Sequence, residues 1–145
     1  MKTERLRFLI NHTPTSIDHE NEVDFKMKPA ANKWSKQEIL VHLIDSATNN
    51  HQRFVRSQFE EKPNIPYNQN EWNKCNYYNS ISKTQLVTFW KSYNEQIVSL
   101  IELIPKEKLN NICNTGGDKN FTIKFLVDDY AEHLEYHCKQ IVNIN

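Results

Sequence analysis

Apolar side chains recur every three or four residues in four separate stretches of the chain, a spacing typical of amphipathic helices. The most regular stretch opens at a capping box, Ser82 with Gln85, and continues until Pro105. Its apolar positions are Leu86, Phe89, Trp90, Tyr93, Ile97, Leu100, Ile101 and Ile104. This pattern predicts a helix that begins at Ser82 and ends before Pro105.

A second capping box marks an earlier helix. Ser35 and Glu38 have the S-x-x-E spacing, in which the serine hydroxyl and the carboxylate satisfy free amide groups at a helix start. Neither proline nor glycine interrupts the chain from there to Pro63. We therefore expect a helix from Ser35 to about Phe59.

The two ends of the chain supply the remaining helices. A last helix is expected from near Thr122 to about Val142, and the amphipathic segment ERLRFLI predicts a first helix, either continuous or broken at Pro14. No convincing strand alternation appears. Four helical segments predict an all-α bundle, a fold in which sites are built from side chains on facing helices.

Composition limits the classes of protein to consider. A chain of 145 residues, 38% of them apolar, fits a single domain, 1–145. Basic and acidic residues number 18 each, the formal net charge is +0, and no basic stripe is dense enough to bind nucleic acid. The chain shows no signal-peptide core and no run of about 18 apolar residues. We expect a cytoplasmic protein that acts on neither nucleic acid nor membranes.

Glycine and cysteine usage removes further classes. Gly116 and Gly117 are the only glycines, so neither a P-loop nor a dinucleotide-binding fingerprint can be written, which argues against ATP or NAD as a core cofactor. The three cysteines are widely spaced and suit reduced thiols. The asparagine-rich segment 64–79 is poor in helix formers and reads as a long, partly ordered connection.

The last predicted helix contains an H-x-x-x-H motif, His133 and His137, within DYAEHLEYHCKQI. Residues four apart lie about 40° apart around a helix, with Cβ atoms about 5–6 Å from each other. The motif lies on the same helix face as Leu126, Tyr130, Gln140 and Ile141. Because these are mostly core-type residues, we expect this face to point inward. The motif is either a two-ligand platform for a metal or a pair of histidines that merely share a face, and a third ligand decides between the two.

The second helix offers His42 and His51, which are nine residues apart and lie on opposite faces. We choose His42 as the third ligand, because Gln37, Thr48, Gln52 and Arg56 already give that helix another polar side. The residues that share its face are Asp45, Ser46, Asn49 and Arg53. His51, among apolar neighbours, is expected in the core or at a subunit contact. His12 and His19 are expected to be exposed.

Three neutral imidazoles leave a coordination position open, as in catalytic rather than structural zinc sites, and nitrogen donors suit Zn, Ni, Fe or Cu. Such an ion lowers the pKa of bound water or of a small thiol. We expect Asp45 to orient a ligand or to act as a base, and Asn49 with Arg53 to hold acid groups of a substrate. Asp129, Tyr130 and Gln140 are expected to support the ligand histidines.

At these residues the chain resembles the DinB-like superfamily, particularly the YfiT-type metal-dependent hydrolases and bacillithiol transferases. The resemblance is carried in family order by KWSKQEILVHLIDSATNNHQRF, PNIPYNQNEW and DYAEHLEYHCKQI, from about Trp34 to Ile141. It implies an up-down-down-up four-helix bundle, often a homodimer. It also implies one divalent metal, with Zn or Ni the leading choices, bound by His42, His133 and His137.

Two functions follow as expectations. The first is a metal-dependent enzyme that activates water or a low-molecular-weight thiol for hydrolysis or S-transfer on a small-molecule substrate. The second is a non-catalytic helical bundle in which the metal is structural or absent.

Overall fold

The computed structural model describes residues 2–142 and 144, so Met1, Asn143 and Asn145 of the predicted domain 1–145 lie outside the described residues. Within them the chain forms six α-helices, two short strands, and single 3-10 turns at 78–80 and 106–108. The helices are α1 (Thr3–Ile17), α2 (Glu22–Lys26), α3 (Lys36–Arg56), α4 (Gln69–Cys75), α5 (Lys83–Leu103) and α6 (Ile123–Ile141). The strands are β1 (Ile112–Asn114) and β2 (Asn120–Thr122), which pair antiparallel.

The four long helices, α1, α3, α5 and α6, form the bundle. Both α1 and α3 pack against α5 and α6, so α1 and α3 occupy diagonally opposite corners. This arrangement places α3 beside α6 although almost 70 residues of chain separate them. The predicted all-α four-helix bundle is confirmed, and no helix within the described residues is long and apolar enough to cross a membrane.

Local capping explains where three of these helices begin. The hydroxyl oxygens of Ser35, Ser82 and Thr122 each accept a hydrogen bond, at 3.1–3.2 Å, from the amide three residues later. The predicted starts of α3, α5 and α6 are therefore confirmed. α3 ends at Arg56, slightly before the predicted Phe59.

Three local features differ from the sequence predictions or add to them. α1 runs unbroken through Pro14, because its buried residues on either side, Thr13 and Ile17, hold its last turn against the bundle. The connection 64–79 contains α4, capped by the side chain of Asn68. The β1–β2 hairpin was not predicted, since three-residue strands are too short to show alternation.

The core is mainly apolar, with Trp90, Phe25 and Phe54 as its largest buried side chains. One face of α3 departs from this rule. We call it the α3 polar stripe, and its members, all at most 8% exposed, are His42, Asp45, Ser46, Asn49 and Arg53. Gln37, predicted on the outer side of α3, is also buried, because its amide nitrogen donates to the carbonyl oxygen of Tyr78 at 3.0 Å.

Candidate metal centre

Three histidines converge where the α3 polar stripe faces α6. His42 lies on α3, His133 and His137 lie one turn apart on α6, and one nitrogen from each lies within 4.8 Å of the other two. The Nε2 atoms of His42 and His133 are 2.9 Å apart. The spatial convergence expected from the sequence therefore exists, while metal binding itself stays a prediction.

Hydrogen bonding sets the orientation of His137. Its Nδ1 lies 2.8 Å from Oε1 of Gln140, three residues further along α6. A side-chain carbonyl oxygen can only accept a hydrogen bond, so Nδ1 of His137 carries the hydrogen and Nε2 keeps its lone pair free. Gln140 thus contacts a predicted ligand in the way expected of a supporting residue.

His42 is the most deeply buried of the three imidazoles, at 1% exposed. The indole of Trp34 lies against its ring, with centroids 5.0 Å apart. Its Nδ1 has no hydrogen-bond partner within the described residues. The indole and the helix backbone therefore confine the ring, and its Nε2 points to the other two histidines.

Burial keeps all three imidazoles neutral. Burial, followed by repulsion from the neighbouring imidazoles, lowers the pKa of His42 to about 3, and burial lowers that of His133 to about 4. Burial also lowers the pKa of His137, while its hydrogen bond to Gln140 opposes the change. Neutral imidazole is the form that binds a metal, so the site is ready to do so at neutral pH.

The residues fit a divalent transition metal ion. Two imidazole lone pairs at 2.9 Å repel each other unless a proton or a cation lies between them, and two nitrogens bound to one tetrahedral zinc lie about 3.3 Å apart. The described cluster contains three nitrogen donors and neither carboxylate nor thiolate, a set suited to Zn or Ni rather than to Mg or Ca.

Asp45 is fully buried, and its Oδ1 faces the segment that follows α4. Its Oδ1 accepts hydrogen bonds from the hydroxyl of Tyr78 at 2.8 Å and from Nδ2 of Asn76 at 3.1 Å. Burial raises its pKa to about 6, although the Tyr78 bond opposes the rise. Among the described residues no hydrogen bond joins Asp45 to an imidazole, so its roles as orienting group or base stay predictions.

The two predicted substrate-binding residues also have internal partners. Nδ2 of Asn49 donates to the backbone oxygen of Asp45 at 2.9 Å. Nε and Nη2 of Arg53 both donate to the carbonyl oxygen of Ile65, at 3.1 and 2.8 Å. Nη1 makes only a 3.4 Å contact with Asn50, so it has the weakest hydrogen bond of the three guanidinium nitrogens.

Two expected supporting residues lie elsewhere. The Tyr130 hydroxyl donates to Oδ1 of Asn94 on α5, because the rotation of α6 directs this side chain into the core rather than to the histidines. Asp129 is on the exposed side of α6 and forms no hydrogen bond with His133 within the described residues. Tyr130 therefore does not support the histidines as the sequence predicted, whereas a supporting role for Asp129 stays a prediction.

The other histidines lie apart from the centre. His51 is half-buried, and its Nδ1 lies 2.9 Å from the Tyr93 hydroxyl on α5. His12 and His19 are exposed, as predicted. His51 is therefore a helix-contact residue of the bundle.

A cleft of about 640 Å³ opens directly on His137 and Gln140. Aromatic rings, amides and one ammonium group line it: Trp34, Tyr136, Asn32, Gln69, Asn70 and Lys33. Trp34 was not among the candidate site residues predicted from the sequence. Its position directly before Ser35 could have shown that it lies two turns from His42, near the same end of α3.

Comparison with known proteins gives a matching family and similar folds. Residues 17–141 match the DinB superfamily. The structure is similar to YfiT from Bacillus subtilis, described as a probable metal-dependent hydrolase with an unusual four-helix bundle topology, with a TM-score of 0.86 at 16% identity over 96% of this chain and 81% of that one.

A second similar structure is a mycothiol-dependent maleylpyruvate isomerase, with a TM-score of 0.79 at 9% identity over 97% of this chain and 59% of that one. Among curated proteins no sequence matches significantly. At these identities the two structures show a shared fold, and the family match extends over most of the sequence. The chain therefore belongs to the DinB superfamily.

Proposed function

We propose that this protein is a metal-dependent enzyme in which His42, His133 and His137 hold one divalent ion, Zn or Ni, and which carries out hydrolysis or thiol S-transfer on a small molecule. The observation that carries the proposal is the convergence of three neutral imidazoles from two helices beside an open cleft. An ion held by three neutral ligands keeps its double charge and an open position, so it favours an anionic fourth ligand and lowers the pKa of water or of a thiol there.

The protein's own groups prepare this site. Gln140 holds His137 in the tautomer that leaves Nε2 free. Trp34 packs on His42 and Tyr136 packs on His137, with ring centroids 5.0 Å apart in both pairs, so the indole and the phenol ring restrict the motion of these two ligands.

The proposal also gives roles to three other residues of the α3 polar stripe. Asp45, with its pKa near 6, is poised to accept a proton close to neutral pH. The weakly used Nη1 of Arg53, together with the amide of Asn49, would hold a carboxylate of the substrate. Because each of these side chains already has an internal partner, the expected contributions are smaller than those of the histidines.

The first test is metal content. Protein purified without chelators is analysed by mass spectrometry beside His42→Ala, His137→Ala and the matched control His51→Ala, whose imidazole lies on α3 but away from the site. We expect about one ion per chain in wild type and in His51→Ala, and far less in the other two. Equal metal content in all four proteins would contradict the ligand assignment.

The second test separates the two reactions. Metal-loaded protein is incubated with monochlorobimane and a panel of cellular thiols, and separately with small esters and amides. A rate above the buffer control with one thiol, lost in His42→Ala, supports S-transfer, whereas turnover of an ester without thiol supports hydrolysis. The mycothiol-dependent activity of one structural neighbour makes the thiol panel the first to run.

The competing function is structural. The histidines join α3 to α6, so an ion there would also cross-link two helices of the bundle. Chelation followed by thermal melting distinguishes the two: a large fall in Tm in a protein inactive toward every probe favours a structural ion. The homodimer and the cytoplasmic location stay predictions, and sedimentation of the metal-loaded protein measures the first.

A further inference from the structure

A chain of hydrogen-bonding side chains runs along α3 and ends at one of the predicted ligands. Ser46, Asn50 and Arg53 are spaced four and three residues apart, so they follow one face of the helix, and each is at most 8% exposed. Ser46 Oγ lies 3.5 Å from Nδ1 of His133. The chain therefore reaches the side of this imidazole that faces away from the other two histidines.

The charge on Arg53 fixes the direction of these bonds. A guanidinium can only donate, so the atom of Asn50 that faces Nη1 at 3.4 Å is the amide oxygen. The amide nitrogen of Asn50 therefore faces Ser46, and it donates to the backbone oxygen at 2.9 Å and to Oγ at 3.3 Å. One lone pair of the Ser46 hydroxyl is thus occupied by a donor.

Another side-chain contact of the Ser46 hydroxyl is with Nδ1 of His133. An imidazole that binds a metal through Nε2 carries its hydrogen on Nδ1, so in the proposed metal centre Nδ1 of His133 is a hydrogen-bond donor. The second lone pair of Oγ, which Asn50 does not use, lies 3.5 Å from Nδ1 of His133 and is available to accept this hydrogen.

We propose that Ser46, held by Asn50 and Arg53, is a positioning residue that keeps the hydrogen of His133 on Nδ1 and so leaves Nε2 free to bind the metal. This proposal rests on the proposed metal centre and gives His133 the support that Gln140 gives to His137. It also gives a role to the buried Arg53, whose Nε and Nη2 are anchored on the Ile65 carbonyl while Nη1 faces Asn50.

The contact at 3.5 Å is longer than an ideal hydrogen bond, so the effect should be moderate. Removing a supporting partner of a ligand histidine weakens metal binding about 10- to 100-fold, and we expect about tenfold for Ser46→Ala. Ser46→Thr keeps the hydroxyl and should restore most of the affinity. Ser99→Ala is the matched control, because the Ser99 hydroxyl donates only to a carbonyl of its own helix at 3.1 Å.

Two measurements test the proposal on the full chain. Competition with a chelating dye gives the Co²⁺ Kd of wild type and the three variants, and long-range ¹⁵N NMR of the metal-free proteins reports which nitrogen of His133 carries the hydrogen. We expect Nδ1–H in wild type, in Ser46→Thr and in Ser99→Ala, and a larger Nε2–H population together with weaker Co²⁺ binding in Ser46→Ala.

The opposite results are equally clear. An unchanged tautomer in Ser46→Ala overturns the proposal even if Co²⁺ binding weakens, because the loss would then come from packing. Wild type that binds no Co²⁺ overturns the metal centre, and the tautomer comparison still decides the role of Ser46. Melting of the metal-free proteins identifies any variant that fails to fold.

Discussion

α3 and α5 begin in the same way and are used differently. Both are 21 residues long, and both are capped by a serine whose hydroxyl accepts the amide three residues later. The buried face of α5 is apolar except for Asn94, whereas α3 buries the five-residue polar stripe beside its apolar residues. Local sequence therefore determines that both helices form, and the residues each helix buries determine that only α3 supplies a candidate site.

The largest expected difference between the two helices is in core stability. Trp90 on α5 is fully buried, so Trp90→Ala should lower the free energy of unfolding by about 3–5 kcal/mol. His42→Leu on α3 replaces a buried polar group by an apolar one of similar size and should change the stability of the metal-free protein by less than about 1 kcal/mol while it abolishes metal binding.

Urea denaturation of the metal-free proteins, together with metal analysis, checks this contrast. Both substitutions change a buried side chain on a helix with a serine cap, but only Trp90→Ala removes side-chain volume. A large loss of stability in metal-free His42→Leu would show that the polar stripe contributes to the core as much as the apolar face of α5 does.

Acid should affect the two helices unequally. His42 has a pKa of about 3 in the folded protein and about 6.5 when unfolded, so its neutral form stabilises the fold above pH 6.5 and this contribution is lost as pH falls toward 3. Between pH 7 and 4 the metal-free wild type should therefore lose about 3 kcal/mol more than His42→Leu. Asp45, whose pKa is raised to about 6, acts in the opposite sense, because its stabilising protonated form is lost as pH rises from about 4 to 6.

Urea titrations at several pH values measure both effects. Asp45→Asn removes the opposing carboxylate, so its stability should fall more steeply with acid than that of wild type. Equal pH profiles for wild type and His42→Leu would show that His42 is not held neutral in the folded state.

The fold was largely predictable from the sequence because its determinants are local. Serine caps, uninterrupted helical periodicity and the apolar face of α5 are all visible within windows of about 20 residues. The convergence of His42 with the H-x-x-x-H motif was also predictable, since His42 and His51 lie on opposite faces and Thr48, Gln52 and Arg56 already give α3 another polar side, which leaves the His42 face free to turn inward.

The surroundings of the histidines were not predictable in the same way. The contacts of Asp45 with Asn76 and Tyr78, and of Arg53 with Ile65, depend on how the connection after α3 folds back over that helix. This connection contains only a short helix and single turns, so it lacks the long hydrophobic periodicity from which a helix can be predicted. Tyr130 shows a second limit of prediction from sequence. A helical-wheel projection places it near the ligand histidines, but its side chain points into the core.

The contact between α5 and α6 offers a smaller perturbation. The hydroxyl of Tyr130 donates to Oδ1 of Asn94, and both side chains are buried. Tyr130→Phe leaves that oxygen without its donor, which should cost about 1–3 kcal/mol. Metal content should not change, because Tyr130 does not contact the histidines. Thermal melting and metal analysis of the variant test this, and a lost metal ion would return Tyr130 to the supporting role that the sequence predicted.

The smallest expected effect concerns the caps that the two helices share. Removing a serine cap usually costs about 1 kcal/mol, so Ser35→Ala and Ser82→Ala should each lower the stability by roughly that amount. The two positions differ in burial, since Ser35 is fully buried and Ser82 is exposed, and water can replace the lost hydroxyl only at Ser82. We therefore expect the larger loss for Ser35→Ala.

Because α3 starts one residue after Ser35 and carries His42 two turns later, fraying of its first turn should also weaken metal binding, whereas Ser82→Ala should leave metal binding unchanged. Equal effects of the two substitutions on both stability and metal affinity would show that the first turn of α3 is held by its packing, with Trp34 against His42, rather than by its cap.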